Sequence, residues 1–384
     1  MPQPGGPSTA IESSIAVFLE VCCLRSRTLN FRQRMDIEAQ TILAPLQRLG
    51  FTNVEALEQL QVQSWHGDRF FRLDCVGQRY LVRLIDQERV YRASPLQHLS
   101  DSLLSAQLRA LSEFRRHGLP YMELIHSAEA PGGWSHLIIA GRAMRMVLFK
   151  WAQGRVLERV GGLQAAQIGY WLGWSHKLAE GFLSVDGGTL ALAHDYELHG
   201  QWREDALQLL SAEPQAMRIF SAYLQETQEK IAFLRQQLRS PRLLVHADFN
   251  LSNVRWSPTG ANVSTILDFD QLGWSRAVED LAWVVKWYAL RSEESQLLDN
   301  LAALLEHYQA HRSVSRDEWQ CLPALLWLNS GLNYNFVLKI ADCLQAFDGA
   351  ERVERLRQIE HYYGSRSERM HEFGFQLVRR VTGQ

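Results

Sequence analysis

The sequence predicts an α+β chain, with a strand-rich first part and a larger, mostly helical second part. Two observations carry this reading. Between residues 69 and 149, short runs of alternating apolar and polar residues are separated by glycine turns, the period of half-buried strands. Beyond Gly154 the spacing becomes helical and stays so, apart from a strand-like insert at 243–270. The change near residue 150 divides the chain into domains at 36–150 and 151–384, behind an extension of residues 1–35.

The elements follow in order. Residues 1–12 are rich in Pro, Gly and Ser, a composition of disorder, and 13–34 read as a helix without recognisable chemistry. Asp36–Leu49 carries apolar residues at helical spacing (Ile37, Ile42, Leu43, Leu46, Leu49). Arg69–Cys75 and Arg79–Ile85 are expected as strands around a Val76-Gly77-Gln78 turn. In the second of them Leu81, Arg83 and Ile85 share a face, which puts a cation among apolar neighbours. Ser100 or Asp101 caps a helix that runs to Arg116 and stops at Gly118 and Pro120, with Gln107 on or beside its apolar face. Strands are then expected at Glu123–Ser127, Ser135–Ala140 and Ala143–Phe149. The uncharged run Leu322–Leu338 holds Asn329, Asn333 and Asn335 and fits a core helix better than a membrane span.

Composition removes several functions. A formal net charge of −2 over 384 residues argues against non-specific nucleic-acid binding. Ile15–Leu24 lacks the basic flank of a signal peptide, so no membrane partner is expected. The five cysteines form no C-x-x-C pair or zinc spacing, which points to free thiols in a reducing cytoplasm. Lysines occur at only five positions, all from Lys150 onward, and no G-x-x-x-x-G-K-[ST] stretch exists. The first 149 residues contain no lysine, which makes an arginine the candidate for a phosphate-gripping cation there.

The chemistry concentrates in the insert. Leu243-Leu244-Val245 leads into His246-Ala247-Asp248-Phe249-Asn250-Leu251-Ser252-Asn253, and Val263–Leu267 leads into Asp268-Phe269-Asp270. Phosphoryl transfer needs a carboxylate to orient a hydroxyl and accept its proton, oxygen ligands for magnesium, and a cation for the nucleotide. Asp248, Asn253 and Asp268 supply the first three at suitable spacing. Loop capping is the plain alternative for all of them, since Asp and Asn favour turns.

His246-x-Asp248-x4-Asn253, Ile266-Leu267-Asp268-Phe269-Asp270 and Glu279-Asp280-Leu281-Ala282 together resemble the aminoglycoside phosphotransferase and choline kinase-like family, which shares the two-lobed protein-kinase fold. Tyr80–Leu84 resembles its third strand, Leu148–Arg155 its hinge, and Leu172–Leu178 a helix with a Leu-His pair, so the likeness covers roughly residues 45 to 290. The resemblance implies a small antiparallel-sheet lobe before a larger helical one, with ATP and magnesium as cofactors. It makes Asp248 the catalytic base and Asn253 and Asp268 the metal ligands. His246 and Asp280 become supports of the catalytic loop. The Phe149-Lys150-Trp151-Ala152 backbone would receive adenine, and residues 61–69 would cover the phosphates with Gly67 alone.

Three departures stand out. Arg83 occupies the place of the usual third-strand lysine, and Gln107 that of its glutamate partner. Arg keeps the charge and offers a bidentate fork, while Gln accepts a hydrogen bond without neutralising it. An Arg83→Met exchange that left nucleotide affinity unchanged would end the idea of a working Arg83–Gln107 pair. Ala247 replaces a glycine common between the His and the Asp, with little consequence expected.

The reading is thus an ATP- and magnesium-dependent kinase of a small-molecule hydroxyl, its acceptor built by the later helices. Trp283, Trp287, Trp319, Trp327 and Tyr334 either line that pocket or pack the core. A protein kinase is the first alternative, weakened because only eleven residues separate Asp268 from Asp280. A nucleotide-binding scaffold is the second, suggested by Gln107 and the glycine-poor loop.

Overall fold

The computed structural model describes residues 37–62, 67–88, 99–181, 189–290 and 296–383. The extension 1–35 and the middle of the expected phosphate loop lie outside the described residues. The chain forms two compact units. Of the described residues, the first holds those up to 88, 99–157 and Val254–Leu267; the second holds those of 158–253 and of 268–383.

In the first unit five strands make an antiparallel sheet in the order β1-β2-β3-β5-β4. They are β1 (Val54–Leu60), β2 (Arg69–Cys75), β3 (Gln78–Asp86), β4 (Trp134–Ile139) and β5 (Arg142–Lys150). The alternation drives the burial. Phe71, Leu73, Val82, Leu84, Met146 and Leu148 form one core cluster with Ile42 and Leu46 of α1 (Ile37–Arg48). Arg83 therefore faces the other side of the sheet. The helix α2 (Asp101–Arg116) starts where Ser100 Oγ accepts the Leu103 N–H at 3.1 Å, and it buries Leu104, Gln107, Leu108 and Leu111.

Two local expectations need correction. Glu123–Ser127 is not a strand and makes only isolated bridges, such as Leu124 with Phe149. The edge strand β1 was not foreseen, because Glu55, Glu58 and Gln59 blur its pattern. The short hairpin of β7 (Val254–Trp256) and β8 (Val263–Ile266) also joins this unit, through bridges from Trp256 to Arg155 and from Ile266 to Tyr121. Gly154 makes that approach available. Its φ is +114°, and a Cβ there would meet the Trp256 carbonyl at 2.4 Å.

The second unit is mostly helical. In chain order it contains α3 (Gly162–Ala179), α4 (Tyr196–Leu210) and α5 (Pro214–Gln237), then α6 (Ala277–Ala289), α7 (Leu297–Gln309), α8 (Arg316–Gly331), α9 (Tyr334–Ala346) and α10 (Gly349–Thr382). A two-stranded ribbon of β6 (Arg242–Val245) and β9 (Gly273–Arg276) runs among them. The expected single helix over 322–338 is divided, because Asn333 Oδ1 caps a new helix by accepting the Phe336 N–H at 3.2 Å. Trp319 and Trp327 are core residues of α8. No helix among the described residues is long and apolar enough to cross a membrane. An antiparallel-sheet part followed by a mostly helical part is the α+β, protein-kinase-like class expected from the motifs.

Candidate active site

The site grows from the end of β6. Leu243, Leu244 and Val245 are buried and anchor the strand, so the next residues must leave it at one fixed point. The chain then turns sharply. Ala247 has φ +63°, a left-handed conformation that costs a residue with a Cβ about 1 kcal/mol or more. The exchange of glycine for Ala247 thus stores local strain one residue before the candidate base.

Asp248 is held at both carboxylate oxygens. Asn250 Nδ2 donates to Oδ1 at 2.8 Å and Asn253 Nδ2 donates to Oδ2 at 2.7 Å. The same Asn253 amide donates to the Asp248 carbonyl at 2.9 Å, and a 3-10 turn over Leu251–Asn253 holds it there. His246 Nδ1 accepts the Asp248 N–H at 3.3 Å, so His246 braces the turn. Burial raises the Asp248 pKa, against the pull of the two amides and of Lys286.

Asp268 follows β8 with φ +58°, a second left-handed residue in this constellation. Its Oδ1 accepts the Asp270 N–H at 3.3 Å. With Nδ2 of Asn253 engaged on Asp248, its Oδ1 is turned the other way. An amide oxygen and a carboxylate are hard donors, suited to a magnesium ion that also takes phosphate oxygens and water. Among the described residues no group of three or more His, Cys, Asp and Glu could hold a metal.

Asp280 was expected as a support from the resemblance, whereas His194 and Asp195 were not singled out beforehand. Buried His194 donates from Nε2 to the Ala247 carbonyl and stacks on Trp283 with ring centroids 3.9 Å apart. Asp280 is fully buried, and its observed partner is His176 Nε2 at 2.9 Å; His176 Nδ1 in turn meets the Tyr308 hydroxyl at 2.8 Å. Asp280 thus ties α6 to α3 and α7. Its neighbour Glu279 accepts the Tyr196 N–H at 2.8 Å, and burial, with Asp195 nearby, lifts its pKa to about 8. Asp195 accepts from Arg242 at 2.6 Å and from Arg276 at 3.0 Å, which pins both strands of the ribbon beneath the catalytic turn. A lone His or Asp gives no sequence signal of such roles.

The buried histidines make the fold acid-sensitive. Burial lowers His194 and His199 from 6.5 to about 4 each. Between those values the unfolded chain binds protons that the folded chain refuses, so these two histidines destabilise as pH drops from 6.5 towards 4. Glu279, raised to about 8, acts in the opposite sense by taking a proton in the folded state. Each histidine should cost about 2 kcal/mol by pH 5 relative to pH 7. Denaturant unfolding of the parent and of His199→Gln should isolate this contribution, the variant gaining about 2 kcal/mol on the parent between pH 7 and pH 5. A pH dependence unchanged in that variant would contradict the assignment.

The first unit places Arg83 differently from the simple expectation. Its Nε donates to Asp68 at 2.8 Å and its Nη2 to the same oxygen, with both residues buried. A carboxylate just before β2 therefore neutralises the charge that Gln107 was expected to leave bare. Gln107 itself is fully buried on α2. Asp68→Ala should cost about 3 kcal/mol, because it removes the carboxylate facing a buried guanidinium. Unfolding of Asp68→Ala, Arg83→Met and the double variant should give a non-additive cycle; additive costs would mean the pair is uncoupled.

The expected hinge continues β5. Phe149 is buried, Lys150 is exposed, and Trp151 and Ala152 are half-buried. The Lys150 N–H goes to the Glu123 carbonyl at 2.9 Å and the Trp151 N–H to the Arg79 carbonyl at 3.0 Å.

Residues 58–314, well over half of the chain, match the model of the phosphotransferase enzyme family (APH). The chain belongs to this phosphotransferase family. A homoserine kinase of Chelativorans sp. (strain BNC1) is 26% identical over 247 residues, covering 62% of this chain and 71% of the relative. The amicoumacin kinase hAmiN, solved with AMP-PNP and Ca2+, superposes with a TM-score of 0.58 at 16% identity, over 86% of this chain and 93% of that one. A microcompartment-associated aminopropanol kinase gives 0.58 at 15% identity, over 88% and 99%. At these identities the solved structures speak for the fold, which this phosphotransferase shares with them.

Proposed function

We propose that this phosphotransferase moves the γ-phosphate of ATP to a hydroxyl of a small molecule, with Asp248 as the base. The observation that carries the reading is the Asp248 carboxylate, clamped by Asn250 and Asn253 at the end of β6. A carboxylate so fixed can orient one hydroxyl and take its proton as the new O–P bond forms and ADP leaves. Asn253 and Asp268 would hold magnesium, which when bound offsets charge on the phosphates. Arg83 and Gln107 would serve the phosphate side of the nucleotide. At the hinge the Phe149–Ala152 backbone would receive the adenine ring, with the Lys150 and Trp151 N–H groups bonded within the fold. His246 and Asp280 hold the catalytic turn and its helix.

Relatives named for homoserine, aminopropanol and amicoumacin support a small acceptor. A protein substrate is disfavoured by one observation. The eleven residues between Asp268 and Asp280 are consumed by β9 and the start of α6, which leaves no long activation segment. The test is an ADP-release screen over hydroxylated metabolites, amino alcohols, aminoglycosides and a generic protein, with Asp248→Ala as the blank. Asp248-dependent release with a small molecule is the expected result. Phosphorylated protein as the only product, or nucleotide binding without any turnover, would overturn it.

A further inference from the structure

Lys286 sits where a lysine is costly. It lies on α6 and is only 3% exposed. Its Nζ is 3.2 Å from the ring centre of Trp283 and 4.7 Å from that of Trp287. Among the described residues no carboxylate stands within ion-pair distance of it. Trp283 in turn stacks on His194, which bonds the Ala247 carbonyl, so the amine stands close to the catalytic turn. Burial pushes the Lys286 amine well below its ordinary pKa, and the Asp248 carboxylate only partly opposes that.

The groups around this amine are donors. The indole N–H of Trp287 and the Nε of Arg366 are buried without a hydrogen-bond partner, whereas the Trp283 indole N–H is turned to the Asp248 carboxylate. Arg366, on α10, also acts on Lys286 as a repelling positive charge. Buried donors left unmade cost about 1–3 kcal/mol each, and a buried ammonium more. One anion would satisfy several of them together. A cationic acceptor finds the opposite: the two tryptophan faces that could receive an ammonium already hold Lys286.

We propose that Lys286, with Arg366 and the indole N–H of Trp287, forms a subsite for a carboxylate on the phosphate acceptor. The acceptor is then a small hydroxylated carboxylate, whose hydroxyl reaches Asp248 while its anionic end binds α6 and α10. This rests on the phosphotransferase reading of Asp248 and sharpens its substrate class. Charge repulsion from Lys286 and Arg366 also disfavours polycationic drugs as acceptors.

Matched acceptors test it: homoserine against 3-amino-1-propanol, serine against ethanolamine, and glycerate against ethylene glycol, with an aminoglycoside as a polycation. The purified full chain should prefer the carboxylate of at least one pair by about 100-fold in kcat/KM. Lys286→Met should bring that ratio to within about threefold, and Arg366→Gln, at a half-exposed position where folding is not at stake, should lower it about tenfold. An equal loss on both members of a pair in Lys286→Met would assign the amine to the transferred phosphate and overturn the subsite. Asp248-dependent turnover confined to uncharged or cationic acceptors would overturn the subsite alone. No Asp248-dependent turnover of any compound would overturn the phosphotransferase reading and the subsite with it.

Discussion

Asp248→Asn should lower kcat by about 10³-fold, a loss of about 4 kcal/mol in transition-state stabilisation. The substitution keeps the shape of the side chain and removes only its ability to take a proton. In the proposed mechanism that ability is used as the acceptor oxygen attacks, so the loss should fall on kcat and leave the KM for ATP within about threefold. A smaller structural cost is also expected. The carboxylate accepts from Asn250 at 2.8 Å and from Asn253 at 2.7 Å, whereas an amide has one accepting oxygen and one donating nitrogen. One of the two asparagines must therefore face a donor, at about 1 kcal/mol of stability. Steady-state ADP release, nucleotide titration and denaturant unfolding on the same preparation separate these effects. A variant within tenfold of the parent kcat would remove Asp248 as the base.

The parts of this site that could be read in advance share one property: their signal is local. Buried apolar strands deliver Asp248, Asn253 and Asp268 at fixed chain positions, so their spacing suggests them, while the role of His246 came from the resemblance. The β2–β3 hairpin was legible in the same way, through alternation and the turn at Val76-Gly77. Asp68 was not, although it lies only fifteen residues from Arg83. An aspartate before a strand looks like a turn residue until the sheet brings it to the cation. His194 and Asp195 follow the same rule, since their partners come from residues 242–283. Lys286 did leave a trace, as the single charge in the apolar run Leu281–Leu290 of α6. What the run could not say is that no carboxylate would come to meet it.

Ala247 shows how the two levels correct each other. As a sequence departure from glycine it looked inconsequential. As a residue at φ +63° it carries strain beside the candidate base. Ala247 is also fully buried, so its methyl contributes packing that glycine would lose. Strain of about 1–2 kcal/mol against a methyl and backbone entropy worth about the same leaves Ala247→Gly near neutral in stability. The exchange is therefore tolerable on thermodynamic grounds, even though the backbone is one that glycine prefers.

Gly169→Ala, at the contact of α3 with α7, should destabilise the protein by about 3 kcal/mol and Gly169→Val by more. Helix propensity alone predicts the reverse sign, since alanine is about 1 kcal/mol better than glycine inside a helix. Packing decides between them. A Cβ at Gly169 would lie 1.9 Å from the Leu304 carbonyl oxygen, and one turn on, a Cβ at Gly173 would lie 2.5 Å from that of Tyr308. Both obstacles are backbone, so no rotamer change relieves them and the helices must move apart. Tyr308 bonds His176, and His176 bonds Asp280, so a displaced α7 would also disturb the seat of α6. Gly200 in α4 is the internal control, because nothing lies within 4 Å of a Cβ built there. Gly200→Ala should stabilise by about 0.5–1 kcal/mol, as propensity requires. Denaturant unfolding of the two alanine variants beside the parent should give shifts of opposite sign. A Gly169→Ala protein as stable as Gly200→Ala would mean that α3 and α7 do not pack at backbone contact.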